Sequence, residues 1–334
     1  MIQRFLHTTP ARLCIGLRQS LVAILCASLP AVHAQTYPSR TIRAIVPSGP
    51  SGFAGIVGRS VTDALTGLMG QPVVIDYRAG ADGLIGMEAC ARALPDGYTI
   101  CISHPAPVAI APFVNAKLPY DAEKAFQPVI NVGISSTVMV ANQNAPFASL
   151  REAVELAKAK PGTVNWGTWG NSSLSNLYRV WIENNAGAKF AHIPYKIPDQ
   201  AQQAVIAGEV AISFLNTQLA FAQLKAGRIK PLAMISLKRS RQLPDVPVFS
   251  ELGFALEFRP WVGIFTPTGT PRPVFSRLNS DIGKLLADPA FVEKALTSIS
   301  VDAVGGSPEQ FADFLKSERK TLAELIRLAG VKPE

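Results

Sequence analysis

The sequence predicts an α/β protein of two lobes joined by two extended crossover segments. Three observations carry this reading. From Arg43 onward, short apolar strands alternate with amphipathic helices, the pattern of parallel strands linked by right-handed crossovers. The alternation is interrupted by a long β-rich stretch, Phe126–Ala141, suited to crossing from one lobe to another. A fresh series of strands and helices then begins, and a second apolar segment, Arg259–Thr266, can carry the chain back.

The elements follow in order. Arg4, Arg12 and Arg18 precede an apolar run from Leu21 to Leu29 and small residues at Val32 and Ala34. This is the plan of a secretory signal peptide, residues 1–34, cleaved after Ala34; an uncleaved anchor is the alternative. Arg43–Val46 reads as a strand and Pro47–Phe53 as a loop. Gly55–Leu68 reads as a helix, from the spacing of Ile56, Val57, Val61, Leu65 and Leu68. Strand Pro72–Tyr77, helix Leu84–Ala93 (stopped by Pro95-Asp96-Gly97) and strand Tyr98–Ser103 complete the first series. The second series opens with helix Leu150–Lys158, strand Val164–Gly167, loop Thr168–Ser173 and helix Leu174–Asn185. Strand Phe190–Ile193, helix Asp199–Ala207, strand Val210–Phe214, helix Gln218–Ala226 and strand Pro231–Ile235 follow. The tail is helical over Arg272–Leu286, Pro289–Thr297 and Pro308–Leu328, the last opened by Ser307-Pro308-Glu309-Gln310. One lobe thus takes residues 35–133 and 262–334 and the other 134–261, with a ligand cleft between them.

Composition narrows the function. The signal holds three arginines and no acid, so its removal takes the net charge from +8 to +5. The remaining cations are scattered, densest at Lys238–Arg241, which excludes a nucleic-acid-binding stripe. No later apolar run is long enough to span a bilayer, so the exported chain is expected to be soluble. Cys14 and Cys26 lie in the signal, leaving Cys90 and Cys101. A bridge between them is geometrically feasible, since one falls on a helix and the other on the next strand. The reading taken is two buried free thiols.

Two strand-to-helix junctions carry what ligand chemistry the sequence offers. The first is Pro47-Ser48-Gly49-Pro50-Ser51-Gly52-Phe53-Ala54. Its glycines let backbone N–H groups approach a ligand, and the helix start adds positive partial charge. It lacks the Gly-Lys-Ser/Thr of a P-loop and the spacing of a dinucleotide fingerprint, and a purely structural turn is the competing reading. The second, Gly167-Thr168-Trp169-Gly170-Asn171-Ser172-Ser173, offers hydroxyls, an amide and free N–H groups, although helix capping alone accounts for Asn and Ser there. One junction in each lobe suggests a shared anion site needing no Arg or Lys. Trp166 continues a strand and reads as core. Trp169 and Phe53 sit in polar loops, where they either cover a bulky ligand or pack against the opposite lobe. Outside the signal the histidines are His104, after a strand and before Pro105, and His192, within a strand that leads to Pro194-Tyr195-Lys196. No cysteine or acidic cluster has metal-ligand spacing, and no G-x-S-x-G elbow is present, so neither cofactor nor metal is expected. Nucleophile, base and oxyanion donors do not converge, which points away from an enzyme.

Segments along nearly all of residues 36–333 resemble the Bug family of periplasmic solute-binding proteins, which serve tripartite tricarboxylate transporters. They include YPSRTIRAIVP, GQPVVIDYRAGADGLIG, ARALPDGYTI, KLPYD, AKAKPGTVNWG, HIPYK, LKAGRIKPLA, RSRQLPDVPVFSELG and WVGIFTPTGTP. The resemblance implies a type II-like Venus-flytrap (periplasmic-binding-protein) fold that closes on one small ligand, typically a carboxylate or amino acid. It implies delivery to membrane transporter subunits, or presentation to a sensor receptor, by a monomer. The resemblance implies ligand contacts from loops 47–55 and 168–173, and with the reading of the residues the candidate ligand-binding residues are Ser48, Gly52, Phe53, Ala54, His104, Thr168, Trp169, Asn171, Ser172, Ser173, Tyr195 and Asn216. Departures from the family's pattern gather there. Gly55 stands where an acid is usual, Phe53 and Trp169 are bulky, and Ser103-His104-Pro105-Ala106-Pro107 replaces a Gly/Thr/Ser run. Ile197 and Leu215 replace a usual glycine and acid. These changes suit a bulky, aromatic carboxylate held against Phe53 and Trp169. The alternative is an exported α/β enzyme that uses His104 on a small carboxylate.

Overall fold

The computed structural model describes residues 37–50, 52–170, 173–236, 239–240, 243–253 and 258–329. The signal-peptide reading, residues 1–34, lies outside them, and the elements of the fold all belong to the body that begins at Arg40.

The first sheet takes its strands from both ends of this body: β1 (Ile42–Val46), β2 (Val73–Tyr77), β3 (Thr99–Ser103), β4 (Phe126–Ser135), β10 (Trp261–Pro267) and β11 (Val301–Gly305). The second holds β5 (Thr137–Asn142), β6 (Asn165–Thr168), β7 (Ala191–Pro194), β8 (Ile212–Asn216) and β9 (Ile229–Ile235). The helices are α1 (Phe53–Met69), α2 (Leu84–Ala91), α3 (Ala111–Val114), α4 (Leu150–Ala159), α5 (Leu174–Ala186), α6 (Pro198–Ala207), α7 (Thr217–Lys225), α8 (Arg272–Ala287), α9 (Pro289–Ala295) and α10 (Pro308–Ala329).

The strand orders are β11-β4-β10-β3-β1-β2 and β7-β6-β8-β5-β9. Each sheet is mixed, which corrects the expectation of parallel sheets. β2, β1 and β3 run parallel, as do β7, β6 and β8, whereas β10 lies antiparallel to β3 and β4, and β5 to β8 and β9. β10 and β5 are the strands by which the chain enters each sheet from the other lobe rather than through a helical crossover, and β11, at the edge of the first sheet, also runs antiparallel to its neighbour β4. Both sheets therefore share one plan, a parallel trio extended by a reversed strand.

The first crossing is short. Ser136 is the residue between β4 and β5, and both sides hold it: its N–H donates to the Ser300 carbonyl at 3.3 Å and its own carbonyl accepts from Thr217 Oγ1 at 3.0 Å. On the return, Ser135 N–H donates to the Pro260 carbonyl at 2.7 Å, and Tyr178 Oη on α5 reaches the Phe258 carbonyl at 3.2 Å. α10 packs against α5 beside these contacts, so the main core runs without a break from Trp166, Phe214 and Tyr178 to Trp261, Phe265 and Phe311. Trp166 is fully buried there, its indole N–H bonded to Ser175 Oγ at 3.0 Å, in line with the core reading.

Cys90 on α2 and Cys101 on β3 form a disulfide, with Cα atoms 6.2 Å apart, so the free-thiol reading is corrected. α2 lies directly on β3, which brings the two Cβ atoms within bridging range. The bridge closes a short loop, a sequence separation of 11, and loop-closure entropy alone gives it about 3 kcal/mol. Reduction, or a Cys90→Ser/Cys101→Ser double variant, is expected to lower the unfolding free energy by about 2–3 kcal/mol in urea denaturation. An unchanged midpoint would show that the pair bears no load.

Candidate functional site

Both sheets turn back on themselves at one strand. β1 has β2 on one side and β3 on the other, and β6 likewise has β7 and β8. Right-handed crossovers in opposite directions put successive helices on opposite faces, so the chain parts at the carboxyl end of that central strand. Loop 47–52 lies at the end of β1 and loop 169–173 at the end of β6. The two junctions singled out in the sequence thus occupy the switch point of each sheet.

At the first junction the chain folds back over the helix it introduces. Gly52 is the N-cap of α1; its N–H donates to the Gly49 carbonyl at 3.1 Å, and its carbonyl accepts from Ile56 N–H at 2.9 Å. A glycine cap brings no side-chain acceptor to the first-turn N–H groups of Phe53, Ala54 and Gly55, which suits the turn to an anion. Gly55, where an acid was the family expectation, has a steric reason: a Cβ there would overlap the Gly49 carbonyl. Ala54 is buried, while Ser48 and Phe53 are partly exposed. Ser48 Oγ leans on the Gly49 carbonyl at 3.4 Å.

The second junction is more committed to its own fold. Ser173 caps α5 by accepting from Asn176 N–H at 3.2 Å, and Asn216 caps α7 by accepting from Leu219 N–H at 2.8 Å. Thr168 is fully buried, with its hydroxyl 2.6 Å from His192 Nε2. Burial, and then the Arg179 guanidinium, hold the His192 pKa below its ordinary value. Trp169 is partly exposed and packs against the main core; Asn171 and Ser172 lie outside the described residues. Tyr195 donates its N–H to the Thr168 carbonyl at 2.8 Å and borders a hollow with Gln200, Gln203, Ala204 and Glu209, on the flank beside α6.

His104 stands at the end of β3, and the next segment is not the loop expected from its prolines. Pro105 is the N-cap of a π-helical turn, Ala106–Ile110, that continues into α3. Proline suits such a start because its missing N–H is one that a helix start leaves unpaired. Tyr120 Oη donates to the Pro107 carbonyl at 2.7 Å and pins the turn. The densely packed surroundings of the partly exposed His104 ring push its pKa down to about 4, against an opposing hydrogen bond to the Pro47 carbonyl. At neutral pH it is therefore uncharged, with its single N–H given to the Pro47 carbonyl and the other ring nitrogen left as an acceptor.

One residue of the site escaped the sequence reading. After β2 the chain makes a turn, Ala81–Gly83, in which Ala81 (φ 46°) and Asp82 (φ 52°) are both left-handed. Each such non-glycine position costs on the order of 1 kcal/mol. The turn is wedged: a Cβ on Gly83 would lie 3.0 Å from Pro107 Cγ and 3.1 Å from the Pro47 carbonyl oxygen. From it Asp82 reaches loop 169–173. A Cβ on Gly170 would sit 2.5 Å and 2.7 Å from the two Asp82 carboxylate oxygens. The strand-end loops of the two sheets therefore meet. The Asp82-Gly83 dipeptide, a common turn marker, is the signal the sequence offers for it.

Residues 57–331 match the family described as the tripartite tricarboxylate transporter family receptor. The chain is 33% identical to protein BugT of Bordetella pertussis over 304 residues, covering 90% of this chain and 93% of that one. Among solved structures it is similar to the periplasmic binding protein BugD, at 28% identity and a TM-score of 0.80, covering 89% of this chain and all of the other. It is also similar to Rpa4515 of R. palustris with adipate, at 26% identity and a TM-score of 0.83, with coverage of 89% and 100%.

The His104 environment makes a pH prediction. A histidine whose pKa falls from 6.5 to about 4 on folding favours the folded state fully above pH 6.5, and that contribution is lost as pH falls through 4. Its imidazole resonances are expected to titrate near pH 4 in the NMR spectrum. A His104→Gln variant should flatten the stability profile between pH 6.5 and 4; a midpoint near 6.5 would contradict the packing described.

Proposed function

This chain belongs to the tripartite tricarboxylate transporter receptor family, and from that premise we propose that it captures a small carboxylate between the loops ending β1 and β6. The observation that carries this reading is the pairing of switch-point loops. A glycine-capped helix start after β1 and a serine-capped one after β6 stand at equivalent places in two sheets, and the turn after β2, packed on Pro47, reaches the second loop where Asp82 meets Gly170. A carboxylate held by backbone N–H groups needs no cationic side chain. That the relative Rpa4515 was solved with adipate supports the ligand class.

The mechanism is capture by closure. Residues 35–133 with 262–334 act as one lobe and 134–261 as the other, hinged where Ser135 and Ser136 meet Pro260, Ser300 and Thr217. A ligand that touches both loops favours the closed arrangement, and the closed protein is what docks on the transporter's membrane subunits. Such a protein works outside the cytoplasm, after removal of residues 1–34. His104, neutral and bonded to Pro47, positions the first loop or the ligand; no covalent chemistry is assigned to it. Phe53 and Trp169, both partly exposed, favour a bulky or aromatic acid.

Native mass spectrometry of the freshly purified protein, followed by denaturation and identification of released small molecules, tests this reading. One carboxylate per chain is the expected result, and Trp169→Ala should weaken its binding more than tenfold. Turnover of the released compound by the protein would contradict capture without chemistry, and unchanged affinity in the variant would remove Trp169 from the site.

A further inference from the structure

The crevice at the end of the first sheet has a hydrogen-bond acceptor in one wall. β1 and β3 are parallel neighbours, with Ile45 opposite Cys101, so His104 leaves the sheet beside Pro47 and Ser48. α1 lies over both strands: a Cβ on Gly58 would be 3.2 Å from Val46 Cγ2 and 3.5 Å from Ile102 Cδ1. The start of α1 and the partly exposed His104 ring therefore stand past the same strand ends, where the chain parts. The ring is set there by what holds Pro47. A Cβ on Gly86 would be 2.7 Å from Pro47 Cα, and one on Gly83 would be 3.1 Å from the Pro47 carbonyl oxygen. The carbonyl that accepts from the imidazole is thus itself fixed. Beyond the ring, Tyr120 Oη ties down Pro107, and Arg319 Nη2 on α10 donates to the Ala122 carbonyl at 2.7 Å. With its one N–H given to Pro47, the neutral ring turns a lone pair outward from its other nitrogen, and among the described residues no donor meets it.

We propose that His104 is a specificity-determining residue whose unpaired nitrogen accepts a hydrogen bond from the ligand, so that the cleft selects carboxylates bearing a hydroxyl group on the carbon next to the carboxylate. The inference rests on the carboxylate-capture reading and narrows its ligand class. The α1 start presents the N–H groups of Phe53, Ala54 and Gly55, donors that suit the carboxylate. A lone pair in the facing wall repels carboxylate oxygens and accepts from an adjoining O–H. An acid without that hydroxyl leaves the nitrogen facing a methylene group once closure excludes water, and an acceptor buried without a donor costs affinity. An ammonium group in the same place would meet the positive end of α1, which favours the neutral hydroxyl over it.

The test is calorimetric titration of the wild type with acids that differ by one hydroxyl: lactate and propionate, malate and succinate, 3-phenyllactate and 3-phenylpropionate, with each hydroxy acid in both enantiomers. In the best pair one enantiomer should bind about tenfold tighter than the unsubstituted acid, a difference of about 1.4 kcal/mol. His104→Leu and His104→Phe fill the space with no nitrogen, and each should bring that ratio to within about twofold. His104→Gln, whose amide both donates to Pro47 and accepts from the ligand, should keep a ratio of at least about fivefold. The ratio is the readout because a loosened loop weakens both members of a pair alike, and unfolding curves confirm that each variant is folded. Equal binding within every wild-type pair, or a ratio that the apolar variants leave unchanged, overturns the role of His104 while carboxylate capture stands. If no acid of any pair binds the wild type, the capture reading fails and this inference with it.

Discussion

The handedness of the crossovers around β1 and β6 is the constraint on which the rest of the molecule depends. A strand flanked on both sides by its successors must send its two connections over opposite faces, because each connection is right-handed. The carboxyl end of that strand is then the place where helices diverge and backbone N–H groups stand unpaired by the sheet. Both sheets repeat this arrangement, β2-β1-β3 and β7-β6-β8. The polar loops lie where the topology makes room for a ligand.

What fills that room is decided by close backbone packing. Gly55 leaves space for the Gly49 carbonyl, Gly83 and Gly86 let the turn after β2 settle on Pro47, and Gly170 makes way for the Asp82 carboxylate. Each contact removes a side chain so that a main-chain or acidic oxygen can take its place. The polar side chains that look most available are largely engaged elsewhere: Ser173 and Asn216 cap helices, and Thr168 is buried beside His192. In the capture proposed above, recognition then falls to main-chain N–H groups and to the neutral His104. The apolar share of the surface comes from Phe53 and Trp169.

Periodicity made much of this legible. The spacing of Val57, Val61 and Leu65 defines the buried face of α1, and each βα unit of the two series is recovered to within a few residues. Strand direction was not legible, since an apolar stretch such as β10 reads the same whether it enters a sheet parallel or reversed. β11 was missed because it is an edge strand in which Val301 is the buried residue and the exposed Asp302 follows at once. The helical segment after His104 was hidden by Pro105, Pro107 and Pro112, which read as loop until their positions at helix starts are known. Asp82 was invisible for a different reason. Its placement depends on a left-handed backbone pair and on a contact with Gly170, 88 positions away in the chain by its numbering.

In the proposed capture the ligand sits between the α1 start and loop 169–173, held by main-chain N–H groups. Hydrogen–deuterium exchange with and without saturating ligand tests it most directly, because it reads those N–H groups themselves. The account predicts slowed exchange at Phe53, Ala54 and Gly55 and at the residues leading into α5, together with slowing around Ser136 as the lobes close. Protection confined to the flank formed by Tyr195, Gln200 and Gln203, with the α1 start unchanged, would contradict it.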